Sequence, residues 1–181
     1  MIGRKHKDTQ AGKRVPTVVT FLEMLHHPAA IPPAQPKRKA ALLKAELPPV
    51  HYYRYLYDTV GRDYKWVDRK KLSDAALAEI LGDPLVELFV LYCDGCPAGM
   101  AEFDFRSPDV GQLAYFGLLP EFVGQRLSYF FLYHACMNAW SKPITKLLVN
   151  TCTLDHPRAL PLYQRLGFVP YAREDRYIEM P

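Results

Sequence analysis

At 181 residues, 49% hydrophobic and 23% charged, the chain has the size and balance of one globular domain with a sizeable core. Its net charge of +4 is too mild to mark a nucleic-acid-binding protein by itself, and no apolar run approaches the ~20 residues of a membrane span. Four irregularly spaced cysteines, Cys93, Cys96, Cys136 and Cys152, exclude a disulfide framework and suit a reducing, cytoplasmic setting.

Residues 1–16 carry Arg4, Lys5, Lys7, Lys13 and Arg14 without hydrophobic periodicity, and read as a basic flexible tail ahead of a single domain over 17–181. A solvated tail accounts for them better than a nucleic-acid arm does. No apolar core follows them, so no secretory leader is expected. Thr17–Leu25 is β-branched and apolar enough for a first strand. The proline-rich Pro28–Pro36 and the basic run Pro36-Lys37-Arg38-Lys39 read as a connector. Val50, Tyr53, Leu56, Tyr57 and Val60 then recur at helical spacing, and Gly61 stands where that helix stops. Ser73 is a good N-cap for a second, short helix ending before Gly82.

Leu85–Cys93 and Pro97–Phe105 read as strands around an Asp94-Gly95 hairpin turn. That turn explains the Cys93-Asp94-Gly95-Cys96 run better than a metal does, since a structural zinc site needs about four ligands and no second pair has matching spacing. No metal is expected. Gln112–Leu119 is a further strand and Gly124–Trp140 a long helix. Ile144–Cys152 is an apolar strand, a helix runs to Leu166, and Phe168 begins the last extended segment. This order predicts a mixed α/β (α+β) domain, a mostly antiparallel central sheet flanked by helices.

Two constellations carry chemistry. In the first, 118–128, a strand ends, the chain turns through Gly124 and a long helix begins. A helix N-terminus offers unpaired N–H groups and the positive end of its dipole, so such a turn suits a diphosphate. In the second, Asp155 or His156 is placed to cap a helix and Pro157 suits its first turn. Pro161 lies deeper and distorts the turn unless the regular helix starts late. Leu162 and Leu166 share one face, Tyr163 points to another, and Gly167 stops the helix.

Together these resemble the acetyl-CoA half of the GNAT superfamily of N-acetyltransferases. The family's pyrophosphate loop has Gln or Arg, two residues, Gly, one residue, then Gly or Ala. Those positions are Glu121, Gly124 and Arg126 here, and only the middle one matches. A further glycine common in the family is Ser128. The later family pattern has Asn, two residues, Ala, three residues, Tyr, then Gly-Phe. This chain has His156, Ala159, Tyr163, Gly167 and Phe168, departing only at His156. The resemblance covers about Thr17 to the C-terminus.

The resemblance implies direct transfer of an acetyl group from acetyl-CoA to a primary amine, with no metal. Phe116, Gly117 and Leu118 would pair with the pantetheine arm. Gly124, Gln125, Arg126, Leu127 and Ser128 would hold the pyrophosphate, with His156 beside it. Arg126 has two readings: a partner for a CoA phosphate, or a bulk that narrows the loop. Tyr163 would return a proton to the departing thiolate. An amine of reference pKa ~10.4 must first lose its own proton to a base or water chain. Glu102 is the candidate base; Asp104, two residues along, shares its strand face. Several family members place a glutamate where this chain has Gln112, an amide that cannot serve.

The acceptor would lie near the first two helices, where Tyr52, Tyr53, Tyr55, Tyr57, Tyr64 and Trp66 give an aromatic density suited to enclosing a ligand. Tyr53, Tyr57 and Trp66 are the candidate substrate-binding residues, with Asp58 and Asp63 placed to attract a cationic amine. The acceptor is a small-molecule or peptide amine of unspecified identity; a homodimer is left open. The rival readings are a non-catalytic acyl-CoA-binding regulatory module, motivated by the degenerate loop and Gln112, and a nucleic-acid-associated protein using the basic tail.

Overall fold

A seven-stranded sheet of order β2-β3-β4-β5-β6-β1-β7 runs through the molecule. The computed structural model describes residues 14–29 and 31–179. Its strands are β1 (Arg14–Met24), β2 (Ala40–Ala45), β3 (Val86–Cys93), β4 (Cys96–Asp104), β5 (Val110–Leu118), β6 (Lys146–Cys152) and β7 (Val169–Glu179). The helices are α1 (Val50–Gly61), α2 (Asp74–Gly82), α3 (Leu127–Ala139) and α4 (Ala159–Leu166). Every strand pairing is antiparallel except that of β5 with β6, so the expected mixed, mostly antiparallel sheet flanked by helices is what forms.

The helices cover both faces of the sheet. Successive residues of β3 show how: Leu88 and Val90 join a core with Tyr53, Leu56 and Tyr57 of α1 and Leu77 and Leu81 of α2. Phe89, Leu91 and Cys93 join the opposite core with Leu127, Phe131 and Leu132 of α3. A strand buried on both faces reads as a continuous apolar run rather than an alternation, which is why VELFVLYC announces itself in the sequence.

Three local outcomes differ from expectation. β2 follows the connector, in a stretch to which the sequence assigned no element; Ala-Ala-Leu-Leu-Lys-Ala has no β-branched residue, and its extended form comes from pairing with β3. Arg14–Pro16, expected in the tail, belong to β1, where Arg14 pairs in register with Glu179 of β7. The rest of the expected tail, residues 1–13, lies outside the described residues. Finally, α3 begins at Leu127 rather than Gly124, leaving Gly124–Arg126 as loop.

The late start anticipated for the last helix occurs. Arg158 is the N-cap of α4, so Pro161 falls in the first turn, where an N–H has no intrahelical partner to lose. Asp155 does not cap it. Its carboxylate turns back to accept from Thr151 Oγ1 at 2.7 Å and from the Cys152 N–H at 2.8 Å. Among the described residues no helix is long and apolar enough to cross a membrane.

Candidate active site

β5 and β6 hold together over only four register pairs, from Val110↔Lys146 to Leu113↔Val149. Beyond them the strands part: β5 stays with β4 as far as Leu118, and β6 stays with β1 as far as Cys152. One extra residue in β5, Ala114, sits between Tyr115↔Glu102 and Leu113↔Phe103, and such a bulge bends a strand and re-aims its side chains. The gap opens into a cavity of about 1880 Å³. Ligand pockets usually measure roughly 300–1,000 Å³, so this one has room for two reactants together.

One wall carries the expected cofactor residues. Phe116, Gly117 and Leu118 of β5 line it, as do Gly124, Gln125, Arg126, Leu127 and Ser128. Gly124 has φ +83°, and a Cβ there would meet nothing within 4 Å, so its backbone faces open space. Among the described residues, no backbone hydrogen bond engages the N–H groups of Gly124, Gln125 or Arg126. These free donors, continued by the first turn of α3, have the chemistry of an anion cradle. Arg126 adopts the left-handed conformation, φ +61°, as the N-cap of α3, and its side chain makes no cap bond.

A clamp that sequence reasoning missed holds this loop. Arg38, read as connector, donates from Nε to Asp94 at 2.7 Å and from Nη1 to the Gln125 amide oxygen at 2.5 Å. Its guanidinium stands 5.4 Å from the Phe122 ring centroid. Gln125 in turn donates to the Glu121 carbonyl at 2.6 Å. The hairpin turn between β3 and β4 thus braces the loop before α3. Only the charge of Arg38, after a run of prolines, was visible in the sequence.

Tyr163 lies in the same cavity, 5% exposed, with its ring edge-on to Phe116 at 6.3 Å and to Phe168 at 5.9 Å. Burial, then the charge of Asp155, raises its pKa above the ordinary 10.0. His156 also lines the cavity; its Nδ1 accepts from the Arg158 N–H at 3.1 Å and its ring lies edge-on to Tyr64 at 6.2 Å.

The acceptor side departs from expectation at several residues. Trp66 and Tyr64 line the cavity, but Tyr53 and Tyr57 do not: both are buried in the core between α1 and the sheet. Their helical spacing put them on one apolar face, and that face packs against the sheet. Glu102 is corrected as well. It is 0% exposed, with one carboxylate oxygen accepting from the Tyr53 hydroxyl and the other from Arg69 Nη2, and it does not line the cavity. A base must reach the proton it takes, and no part of this carboxylate is open to an incoming amine. Asp104 pairs with Arg106 on the side of a separate, smaller pocket. Asp58 pairs with Lys70 at 3.4 Å, and neither it nor Asp63 lines the cavity.

Two residues outside the sequence reading line the cavity on this side. Arg69 and Tyr115 both line the cavity, the guanidinium carbon 5.3 Å from the tyrosine ring centroid. Tyr115 closes an aromatic group with Trp66 at 5.1 Å and Tyr57 at 4.9 Å. Burial opposes the charge on Arg69, but the Glu102 carboxylate outweighs it and raises the pKa.

The sequence model of the Acetyltransferase (GNAT) family matches residues 53–168. No curated protein sequence matches the chain. Among solved structures, a GCN5-related N-acetyltransferase from Kribbella flavida superposes with TM-score 0.61 at 18% identity, covering 94% of this chain and 60% of that one. AAC(6')-Iy, bound to the bisubstrate analogue CoA-S-monomethyl-acetylneamine, gives 0.55 at 22% identity, covering 72% of this chain and 91% of that one. An aminoglycoside acetyltransferase, meta-AAC0020, from an uncultured soil metagenomic sample and in complex with sisomicin, gives 0.58 at 10%, covering 71% and 87%. The chain spans about 60% of the length of the first structures it matches. With more than half of its residues matched by the family's sequence model, the chain belongs to the GNAT acetyltransferase family.

Proposed function

We propose that this chain transfers the acetyl group of acetyl-CoA directly to a primary amine. The observation that carries the reading is the parting of β5 and β6 beyond Leu113 and Val149, which places free backbone of β5, the open loop 124–126 and Tyr163 around one cavity. Phe116–Leu118 would pair with the pantetheine arm, and the N–H groups of Gly124–Ser128 would hold the pyrophosphate, with Arg126 and His156 at its edge. Lining cations at Arg38, Arg126 and Arg165 favour an anionic ligand there.

In this reading the amine nitrogen forms its bond to the acetyl carbonyl carbon, the carbon–sulfur bond breaks, and Tyr163 gives its phenolic proton to the departing thiolate. A raised pKa keeps that proton on Tyr163 at neutral pH. With Glu102 enclosed by Tyr53 and Arg69, the proton lost by the amine leaves through water in the cavity. The acceptor would sit against Trp66, Tyr64 and Tyr115. The solved neighbours bound to acetylneamine and sisomicin ligands support a small-molecule amine as acceptor.

A second reading, an acyl-CoA-binding module without turnover, is favoured by Gln112, an amide lining the cavity. Calorimetry with acetyl-CoA, free CoA and ATP, followed by thiol release on adding amines, separates the two. Specific acetyl-CoA binding with amine-dependent thiol release supports transfer. Binding without release on any amine supports the module, and no binding at millimolar acetyl-CoA sinks both.

A further inference from the structure

We propose that Arg69 anchors a carboxylate of the acceptor, so that the substrate is an amine bearing a negative group rather than a plain amine or polyamine. This rests on the acetyl-transfer reading of the cavity and names the substrate class for its acceptor side.

Arg69 lies in the loop between α1 and α2, and 14% of its side chain remains exposed at the cavity. Glu102 is the only acceptor its guanidinium meets among the described residues, through Nη2. Its Nε is buried without any hydrogen-bond partner. A guanidinium has five N–H donors in a fixed fork, so one occupied nitrogen leaves most of this capacity unused. A buried donor left unpaired costs about 1–3 kcal/mol, and such a cost is removed when a small shift of the side chain brings a ligand oxygen onto the fork. Tyr115 supports the flat face of the group, and Glu102, itself held by the Tyr53 hydroxyl, accepts from its Nη2. The guanidinium is therefore held on one face by Tyr115 and at Nη2 by Glu102, while the residue lines the cavity.

The surrounding charge fits one anionic group. Lys65 and Lys71 line the cavity from the same loop, and neither forms an ion pair among the described residues. Three cations from this loop stand against Asp68 in the lining and Glu102 beneath it, leaving a single net positive charge. One carboxylate balances that, whereas a polycationic amine meets like charge at the place it has to occupy. The other acids of the lining are already engaged: Asp155 by Thr151 and Cys152, and Glu179 by Arg14. Beside the anchor, Trp66, Tyr64 and Tyr115 give the cavity an aromatic lining that suits an apolar body on the same substrate. In this arrangement Arg69 touches substrate, while Glu102 is a positioning residue acting through it.

The test is binding, read by calorimetry with free CoA present so that no turnover is needed. The probes are matched pairs, phenylalanine against phenethylamine and 4-aminobutyrate against butylamine, with O-phosphoethanolamine as the phosphate arm. The expected result is that at least one carboxylate binds about tenfold or more tighter than its carboxylate-free twin, the scale of a charge-assisted hydrogen bond. Because R69Q alone leaves Glu102 buried without its partner, the variant to use is R69Q/E102Q. In it the preference should vanish while acetyl-CoA affinity stays unchanged. Equal binding within each pair, a preference surviving in the double variant, or tighter binding of the phosphate than of any carboxylate overturns the proposal. Carboxylate preference without amine-dependent thiol release sinks the transfer reading alone and leaves the anchor standing.

Discussion

The guanidinium of Arg69 donates to Glu102 at the sheet face under α1, the carboxylate fully buried and the arginine reaching from there to the cavity. A charge buried this way is stable only while its partner is present. Removing one member of a buried pair costs about 3–5 kcal/mol, because the other charge is left without compensation. E102Q and R69Q should each lower stability by that order, and R69Q/E102Q by clearly less than the two together. Urea unfolding of the four proteins gives the coupling directly; additive losses would show that the two charges do not depend on each other.

Tyr163→Phe should lower kcat by about 10²-fold or more, the usual range for a positioned general acid. The ring packs edge-on to Phe116 and Phe168 and is kept by phenylalanine, so loss of the hydroxyl should leave acetyl-CoA affinity within about twofold. The measurement is single-turnover acetyl transfer beside calorimetry. An unchanged chemical step removes Tyr163 as the acid.

The pH profile follows from the same residue. Its pKa is raised, so the proton stays on the phenol to higher pH than on free tyrosine, and the acid form is the competent one. The kcat of the wild type should therefore show no alkaline loss attributable to Tyr163 up to the ordinary value of 10.0. A limb falling between pH 7 and 9 that disappears in Tyr163→Phe would contradict this.

Arg126 carries a side chain in the left-handed region, where glycine is at ease. Arg126→Gly should stabilise the fold by about 1 kcal/mol from relieved backbone strain. The same change should weaken acetyl-CoA binding several-fold if the guanidinium meets a phosphate. Thermal melts and titrations separate these opposite effects, and tighter binding in the variant would instead mean that the arginine narrows the loop.

Gly99 of β4 permits a close approach to β5: a Cβ there would lie 2.6 Å from the Gly117 carbonyl oxygen and 2.9 Å from the Phe131 ring. Backbone cannot swing aside as a side-chain tip can, so Gly99→Ala should cost about 1–3 kcal/mol as overpacking. Since Gly117 belongs to the cavity wall, acetyl-CoA affinity should fall with it. A melting temperature matching the wild type would show that β4 and β5 separate freely.

The sequence by itself determined the helices and most strands, because their signals are local: helical spacing at Tyr53, Leu56 and Val60, the Ser73 cap, the Asp94-Gly95 turn and the Gly167 stop. It also placed Tyr163 and the loop at Gly124, since both sit where an element begins or ends. Side-chain surroundings were decided elsewhere. Tyr53 and Trp66 are equally aromatic in the sequence, yet one packs under the sheet and the other faces the cavity. Glu102 looked like a strand carboxylate open to substrate; only the docking of α1 and the loop after it brings Tyr53 and Arg69 onto its two oxygens. β2 owes its extended form to β3, and Arg38 owes its place at the loop to Asp94, 56 residues away. Local propensity acts over a few residues, whereas burial and ion pairing depend on which distant segments the sheet brings together.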